Sequence, residues 1–193
     1  MIELNNLKDN RLENINKQLR EILRAREERV INQRKLLKKY HLPLLSITLN
    51  IPGPKKDNEK IRKIFHECLR VVKIELKKNE SIKIIYEKVN FTADGPESFL
   101  IVKGLSEKSL KKIAIGIEDN HPFGRLFDVD VLSKEGYKVY REDINKVLRK
   151  CIICNDLAIH CITSRKHNRK EIIKTTYKMI DNFIRLDEKS RKI

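Results

Sequence analysis

The chain has no tryptophan, and phenylalanine, tyrosine and tryptophan together make up only 6% of its 193 residues. Proteins that hold single-stranded nucleic acid stack its bases on aromatic side chains, so that class has little to build with here. No apolar run approaches the ~20 residues that cross a bilayer as a helix. The opening Met1-Ile2-Glu3-Leu4-Asn5-Asn6 lacks the basic-then-apolar order of a secretion signal. The expectation is therefore a cytoplasmic protein with no membrane partner. The four cysteines, Cys68, Cys151, Cys154 and Cys161, are then not expected to pair as disulfides. There is no internal repeat, low-complexity tract or linker, and the length suits one well-buried domain. Acids are also in deficit. Lysine and arginine total 43 against 27 acids, for a formal net charge of +16. That balance favours anionic partners, although many of the lysines fit an ordinary solvated surface.

Leu12, Ile15, Leu19, Ile22 and Leu23 recur at helical spacing, and no Gly or Pro interrupts the stretch from Leu12 to Tyr40. Leu44 to Ile51 reads as a buried strand followed by the stiff, doubly cationic loop Pro52-Gly53-Pro54-Lys55-Lys56. Asp57 is placed to cap a second helix, whose stripe is Ile61, Ile64, Phe65, Cys68, Leu69 and Val72. Ser81–Phe91 and Ser98–Val102 read as strands joined by the turn Ala93-Asp94-Gly95-Pro96. Ser106 caps a helix that ends before His121-Pro122. Leu126–Ser133 and Tyr137–Tyr140 form a hairpin around Lys134-Glu135-Gly136. A cysteine cluster and a final helix with Ile173, Tyr177, Ile180 and Ile184 follow. The expected fold is a single α+β domain with helices at both ends, in which residues from about 150 to 193 form a cysteine-containing helical extension.

The sharpest chemical feature is Gly124-Arg125-Leu126-Phe127-Asp128-Val129-Asp130-Val131. Side chains alternate along a strand, so Phe127, Val129 and Val131 face the core, and Asp128 and Asp130 share the other face, roughly 6–7 Å apart. Two such carboxylates repel by about 2–3 kcal/mol at an effective dielectric near 20, and a divalent cation between them reverses the sign. Magnesium suits hard oxygen ligands and completes its shell with substrate phosphates. The bland reading is a solvated strand carrying two exposed aspartates. Arg125 adds a cation in a glycine turn at Gly124, and Lys55 and Lys56 add cations that suit a polyphosphate. His121 either binds phosphate or shapes the turn before Pro122. No third carboxylate has diagnostic spacing; Glu97, Glu142 and Asp143 are the nearest candidates.

The second constellation is Cys151-x2-Cys154-x6-Cys161-x5-His167, with His160 as a competitor for the histidine position. Three thiolates and an imidazole complete a tetrahedral zinc site and leave no open position for catalysis. The alternative is packing, with Cys161 buried on a short helix beside a reduced Cys151–Cys154 pair.

The segment His121-Pro122-Phe123-Gly124-Arg125-Leu126-Phe127-Asp128-Val129-Asp130-Val131 resembles the signature of the citrate lyase phosphoribosyl-dephospho-CoA transferases, also described as holo-acyl-carrier-protein synthases. Pro52-Gly53-Pro54-Lys55-Lys56-Asp57, Gly95-Pro96-Glu97 and Arg149-Lys150-Cys151-Ile152-Ile153-Cys154 agree in order, as does Arg26-Glu27-Glu28-Arg29 upstream. The resemblance spans roughly Leu12 to Ile184. It implies transfer of a phosphoribosyl-dephospho-CoA group from triphosphoribosyl-dephospho-CoA to a serine of the citrate lyase acyl carrier protein, its gamma subunit, with release of pyrophosphate. Asp128, Asp130 and Arg125 then serve catalysis, while Lys56, Lys55, His121 and Gly124 serve substrate binding. Mg2+ is the expected ion at Asp128 and Asp130, while at the cysteine set structural Zn2+ stands beside the packing alternative. A more distant likeness to nucleotidyltransferases implies a mixed sheet, with Gly116 before the Asp-x-Asp strand, although Ile117 stands where that pattern has Gly or Ser. Two rival classes are a basic RNA- or DNA-binding protein using the arginine-rich first helix, and a nucleotidyltransferase acting on another carrier protein.

Overall fold

The computed structural model describes residues 2–190, and their side chains from Glu13 to Lys189. The elements run α1 (Ile2–Tyr40), β1 (Leu44–Leu49), α2 (Glu59–Lys77), β2 (Lys83–Thr92), β3 (Gly95–Lys103), α3 (Glu107–Asn120), β4 (Phe127–Leu132), β5 (Lys138–Val139), α4 (Ala158–Thr163) and α5 (Arg169–Ser190). Short 3-10 turns at Gly124–Leu126 and Glu142–Ile144 join them. The five strands form one sheet in the order β2-β3-β1-β4-β5. This is the α+β architecture expected of the sequence.

The sheet is antiparallel at every pairing rather than mixed. The reason lies in the connections. The β3–α3–β4 crossover carries the chain from one flank of β1 to the other, so two strands of like direction are separated by β1 and never adjoin. A parallel pair would require that crossover to land beside its own starting strand.

One sheet face is apolar throughout its centre. Leu45, Ile47, Leu100, Val102, Val129 and Val131 form a core with α2 and α3 that also takes in Ile180 of α5. The α2 stripe packs there as its periodicity required, with Ile61, Ile64, Phe65 and Cys68 wholly buried. Cys68 is core filling, and burial raises its thiol pKa well above the ordinary range. The cap of α2 is Asn58, whose side chain accepts the Ile61 N–H at 3.0 Å. Asp57, one residue earlier, instead receives a forked contact from Arg62. Ser106 caps α3 as expected, accepting the Ser109 N–H.

The other face is divided. At one end Leu44, Phe99 and Ile101 pack beneath Leu37 of α1. At the other end the outward positions are polar: Ser46 and Thr48 of β1, Glu97 of β3, and Asp128 and Asp130 of β4. Only the C-terminal half of α1 lies over this face. A 39-residue helix is ~58 Å long, about twice the length of the longest strand here. Along its apolar positions Ile15, Leu19 and Leu23 are exposed, whereas Ile22 and Ala25 are buried. Leu12 lies outside the described side chains. The β2–β3 turn is tighter than the sequence indicated, with only Ala93 and Asp94 outside the strands. Gly95 has φ +105, and a Cβ there would come within 2.7 Å of the Lys56 carbonyl oxygen, so no other residue brings this turn so close to the Lys55-Lys56 loop.

Candidate active site

Asp128 and Asp130 project from β4 onto the polar end of the second face, opposite Thr48 and Ser46 in register. Strand alternation delivers them there as expected, since Phe127, Val129 and Val131 are wholly buried on the reverse side. Two clefts flank the pair. One, of about 430 Å³, lies under α1 and is bordered by Arg26, Arg29, Gln33, Lys56 and both aspartates. The other, of about 320 Å³, is bordered by Lys111, Lys138, Arg149 and again both aspartates.

Each carboxylate already meets a cation. Lys138 donates to Asp130 Oδ2 at 2.7 Å, and the Lys138 pKa rises despite burial because of that contact. Arg149 Nη2 lies 3.4 Å from Asp128 Oδ1, and Thr48 Oγ1 donates to Asp128 Oδ2 at 3.2 Å. Arg149 is in turn held by Glu118, a residue of α3 only 2% exposed. Glu118 also accepts the Val129 N–H at 2.9 Å and Arg141 Nη2 at 2.8 Å. Arg141 completes a fork onto Asp119. A buried carboxylate thus ties α3, the backbone of β4 and the two arginines after β5 into one unit. The sequence signal was a single glutamate amid the apolar face of α3, and spacing did not distinguish it.

Lys111 is a second residue that spacing did not reveal. It lies on α3, is 5% exposed and borders the same cleft as the aspartates. Burial lowers its pKa, against the opposing pull of Glu118 and Asp130.

The cations expected from sequence separate. Lys56 reaches the cleft under α1, its Nζ donating to the Ile51 carbonyl at 2.6 Å, and burial lowers its pKa. Lys55 is exposed and borders neither cleft. His121 is not brought to the aspartates. It ends α3, its Nδ1 accepts the Phe123 N–H at 3.2 Å, its Nε2 lies 3.5 Å from Glu67, and its ring packs on Phe127. Of the two readings open for His121, the geometry matches turn shaping. Gly124 is buried with its Cα against the Glu118 backbone, where a Cβ would clash, so it brings the turn onto α3. Gly116 borders a separate hollow with His121, away from the aspartates. Arg125 faces neither aspartate cleft. It borders a third cavity between β1, the cysteine segment and α5.

Arg26 and Arg29 of α1 clamp the β2–β3 turn. Arg26 forks onto Asp94, and Arg29 reaches Asp94 at 2.9 Å and Glu97 at 2.6 Å. Burial alone would lower the Arg29 pKa; its two carboxylate partners raise it. Glu97 lies on the same sheet face as Asp128 but is taken up by Arg29 and by Asn90 at 3.0 Å. Among the described residues no third carboxylate joins Asp128 and Asp130 in a ligand cluster.

Such a cluster does occur in the C-terminal segment. One ligand atom from each of Cys151, Cys154, Cys161 and His167 falls within 4.8 Å of every other. Cys154 Sγ lies 3.5 Å from Cys161 Sγ and 3.3 Å from His167 Nε2. The group can hold a metal ion. His160 points elsewhere, with its Nδ1 3.3 Å from Asp156.

An α+β domain whose two strand aspartates border clefts that also carry lysine and arginine has the charge pattern that suits a phosphate-bearing substrate, the class to which its relatives assign it. The family model described as apo-citrate lyase phosphoribosyl-dephospho-CoA transferase matches residues 17–183. Over 153 residues the chain is 34% identical to the apo-citrate lyase phosphoribosyl-dephospho-CoA transferase of Escherichia coli O7:K1 (strain IAI39 / ExPEC), covering 79% of this chain and 82% of that one. It is 30% identical over 165 residues to the probable apo-citrate lyase phosphoribosyl-dephospho-CoA transferase of Vibrio cholerae serotype O1 (strain M66-2), covering 86% and 92%. The chain belongs to the apo-citrate lyase phosphoribosyl-dephospho-CoA transferase family.

Proposed function

We propose that this protein transfers the phosphoribosyl-dephospho-CoA group from its triphosphate precursor to a serine of the citrate lyase acyl carrier protein, in the cytoplasm, with release of pyrophosphate. The observation that carries this reading is that Asp128 and Asp130 border two clefts at once. In-line displacement needs room on both sides of the reacting phosphorus, one for the entering hydroxyl and one for the leaving pyrophosphate. In the reaction the serine oxygen forms a bond to the α-phosphorus, the bond from that phosphorus to pyrophosphate breaks, and the serine proton passes to a base.

Asp128 and Asp130 fit Mg2+, since both offer hard oxygens on one half-exposed strand face. Bound there, Mg2+ would neutralise phosphate charge during transfer. Lys138 and Arg149 hold the two carboxylates in the meantime and are placed to turn to the polyphosphate. Lys56 borders the α1 cleft and would meet the departing pyrophosphate there. Lys111 is the side chain on the opposite cleft best suited to take the serine proton, because burial favours its neutral form. The Cys151, Cys154, Cys161 and His167 set fits structural Zn2+: it is a complete tetrahedral set with no position left for substrate. No helix among the described residues is long and apolar enough to cross a membrane.

The test is mass spectrometry of apo-carrier protein incubated with the enzyme, Mg2+ and the triphosphate precursor. A mass gain equal to the prosthetic group, on a serine, is expected. An unmodified carrier under conditions in which a known relative modifies it would refute the reading.

A further inference from the structure

The third cavity, about 600 Å³, is larger than either aspartate cleft. It lies among Asn50 and Pro52 after β1, the cysteine segment and the first turns of α5. Three arginines border it, Arg125, Arg165 and Arg169, and no aspartate or glutamate does. Its remaining wall is largely apolar, with Ile152, Ile162 and Ile172 prominent.

Two of the residues bordering this cavity carry a buried polar atom without a hydrogen-bond partner: Arg125 at Nε and Thr176 at Oγ1. Thr176 is wholly buried. Leaving such groups unpaired costs free energy unless a ligand supplies acceptors. Arg125 is further disfavoured by burial and by the neighbouring Arg149 and Arg141 charges, an imbalance that an anion would relieve. Arg165 holds a left-handed backbone, φ +50, a conformation that costs energy in a non-glycine residue and tends to persist at binding sites. The cavity also adjoins the reacting end of the site. Ala158 and Ile162 border both it and the cleft of Lys111, and Asn50 borders both it and the cleft under α1.

We propose that this cavity binds the dephospho-CoA portion of the donor, with its diphosphate on Arg125, Thr176 and Arg165 and its organic arm along Ile152 and Ile172. The inference rests on the transferase reading and locates the part of the substrate that does not react. Chemistry and size agree. Dephospho-CoA joins a diphosphate to a long, weakly polar arm and a nucleoside, and pockets of ~300–1,000 Å³ take ligands of that order. Arginine forks onto diphosphate oxygens, and an apolar wall accepts the arm. A donor anchored here would present its triphosphate end to Asp128 and Asp130.

The probe is dephospho-CoA itself, titrated calorimetrically into the full-length protein without Mg2+ or carrier. The parent binds it. Thr176→Val and Arg165→Asn, the latter retaining a residue that tolerates positive φ, each raise Kd at least tenfold, equivalent to about 1.4 kcal/mol. Asp128→Asn binds it as the parent does. Thr176→Val melts no lower than the parent, since its hydroxyl has no partner to lose in the free protein. Absence of binding to the parent, or unchanged Kd in both cavity variants, overturns the proposal. So does a loss in Asp128→Asn equal to theirs. The two readings fail separately. If the enzyme modifies its carrier normally while the cavity variants keep parental Kd and donor KM, the cavity assignment falls alone. If no carrier is modified but dephospho-CoA binds with the stated variant pattern, the transfer reading falls and the cavity assignment stands.

Discussion

The guanidinium of Arg149 lies 3.4 Å from the carboxylate of Asp128, and the same Nη2 donates to the buried Glu118. A cation bordering the cleft is therefore supported from behind by a carboxylate that the solvent does not reach. Asp128 keeps a charged partner before any metal or phosphate arrives, and Arg149 does not depend on Asp128 for its own placement. The arrangement leaves Asp128 at the cleft and places the carboxylate that anchors its arginine partner in the interior.

Asp128→Asn and Asp130→Asn should each lower transfer at least a hundredfold, about 2.7 kcal/mol of transition-state stabilisation, while the fold survives. Survival follows because neither side chain is in the core and Arg149 retains Glu118. Turnover and circular dichroism measured on the same samples check this. A folded variant with near-parental turnover would remove that residue from the reaction.

Glu118→Gln should cost about 3 kcal/mol of stability, because it leaves Arg141 and Arg149 beside an uncharged partner in a buried position. Asp119→Asn, which alters the half-exposed arm of the same network, should cost less than about 1 kcal/mol. Urea unfolding of the two variants makes the comparison. Equal losses would mean that burial at Glu118 does not set the energetics.

Lys111 gives a pH dependence with a definite sign. Its folded pKa is lowered, chiefly by burial, so the folded state disfavours the protonated form. That penalty is present below the lowered pKa and shrinks as pH rises towards the unfolded value of 10.5. Lys111→Met should therefore melt at or above the parent near neutral pH. If Lys111 takes the serine proton, parental activity rises with pH through its lowered pKa, and the variant loses both that rise and most of its turnover. A variant with parental turnover and an unchanged pH profile would assign the proton to another group.

The cysteine cluster should carry one zinc ion per chain, detectable by elemental analysis of protein prepared without chelator. Cys151→Ser with Cys154→Ser should abolish it and lower the melting temperature more than it lowers activity in the cold, because metal binding energy appears as folding energy. Parent protein that carries no zinc as prepared, together with a double variant that melts no lower than the parent, would reduce the four residues to packing.

The sequence by itself determined whatever depends on local periodicity. Alternation along Phe127 to Val131 decided that the two aspartates share a face, since a strand has no other way to bury three apolar side chains on one side. The α2 stripe, the Ser106 cap and the short spacing of Cys151, Cys154, Cys161 and His167 were legible for the same reason: each involves residues a few positions apart. The family motifs were legible as ordered blocks. The tertiary structure alone decided what requires distant segments to meet. Glu118 gathers Arg141 and Arg149 from 23 and 31 residues away, and Arg29 finds Glu97 across 68. The α3 crossover decided that the sheet is antiparallel, and tertiary packing decided that Ile22 of α1 is buried while Ile15, Leu19 and Leu23 of the same stripe meet solvent. His121 and Arg125 lie only four residues apart in the chain. The 3-10 turn between them sends one to a core aromatic and the other to an open cavity, because chain direction there is set by the packing of Gly124 against α3.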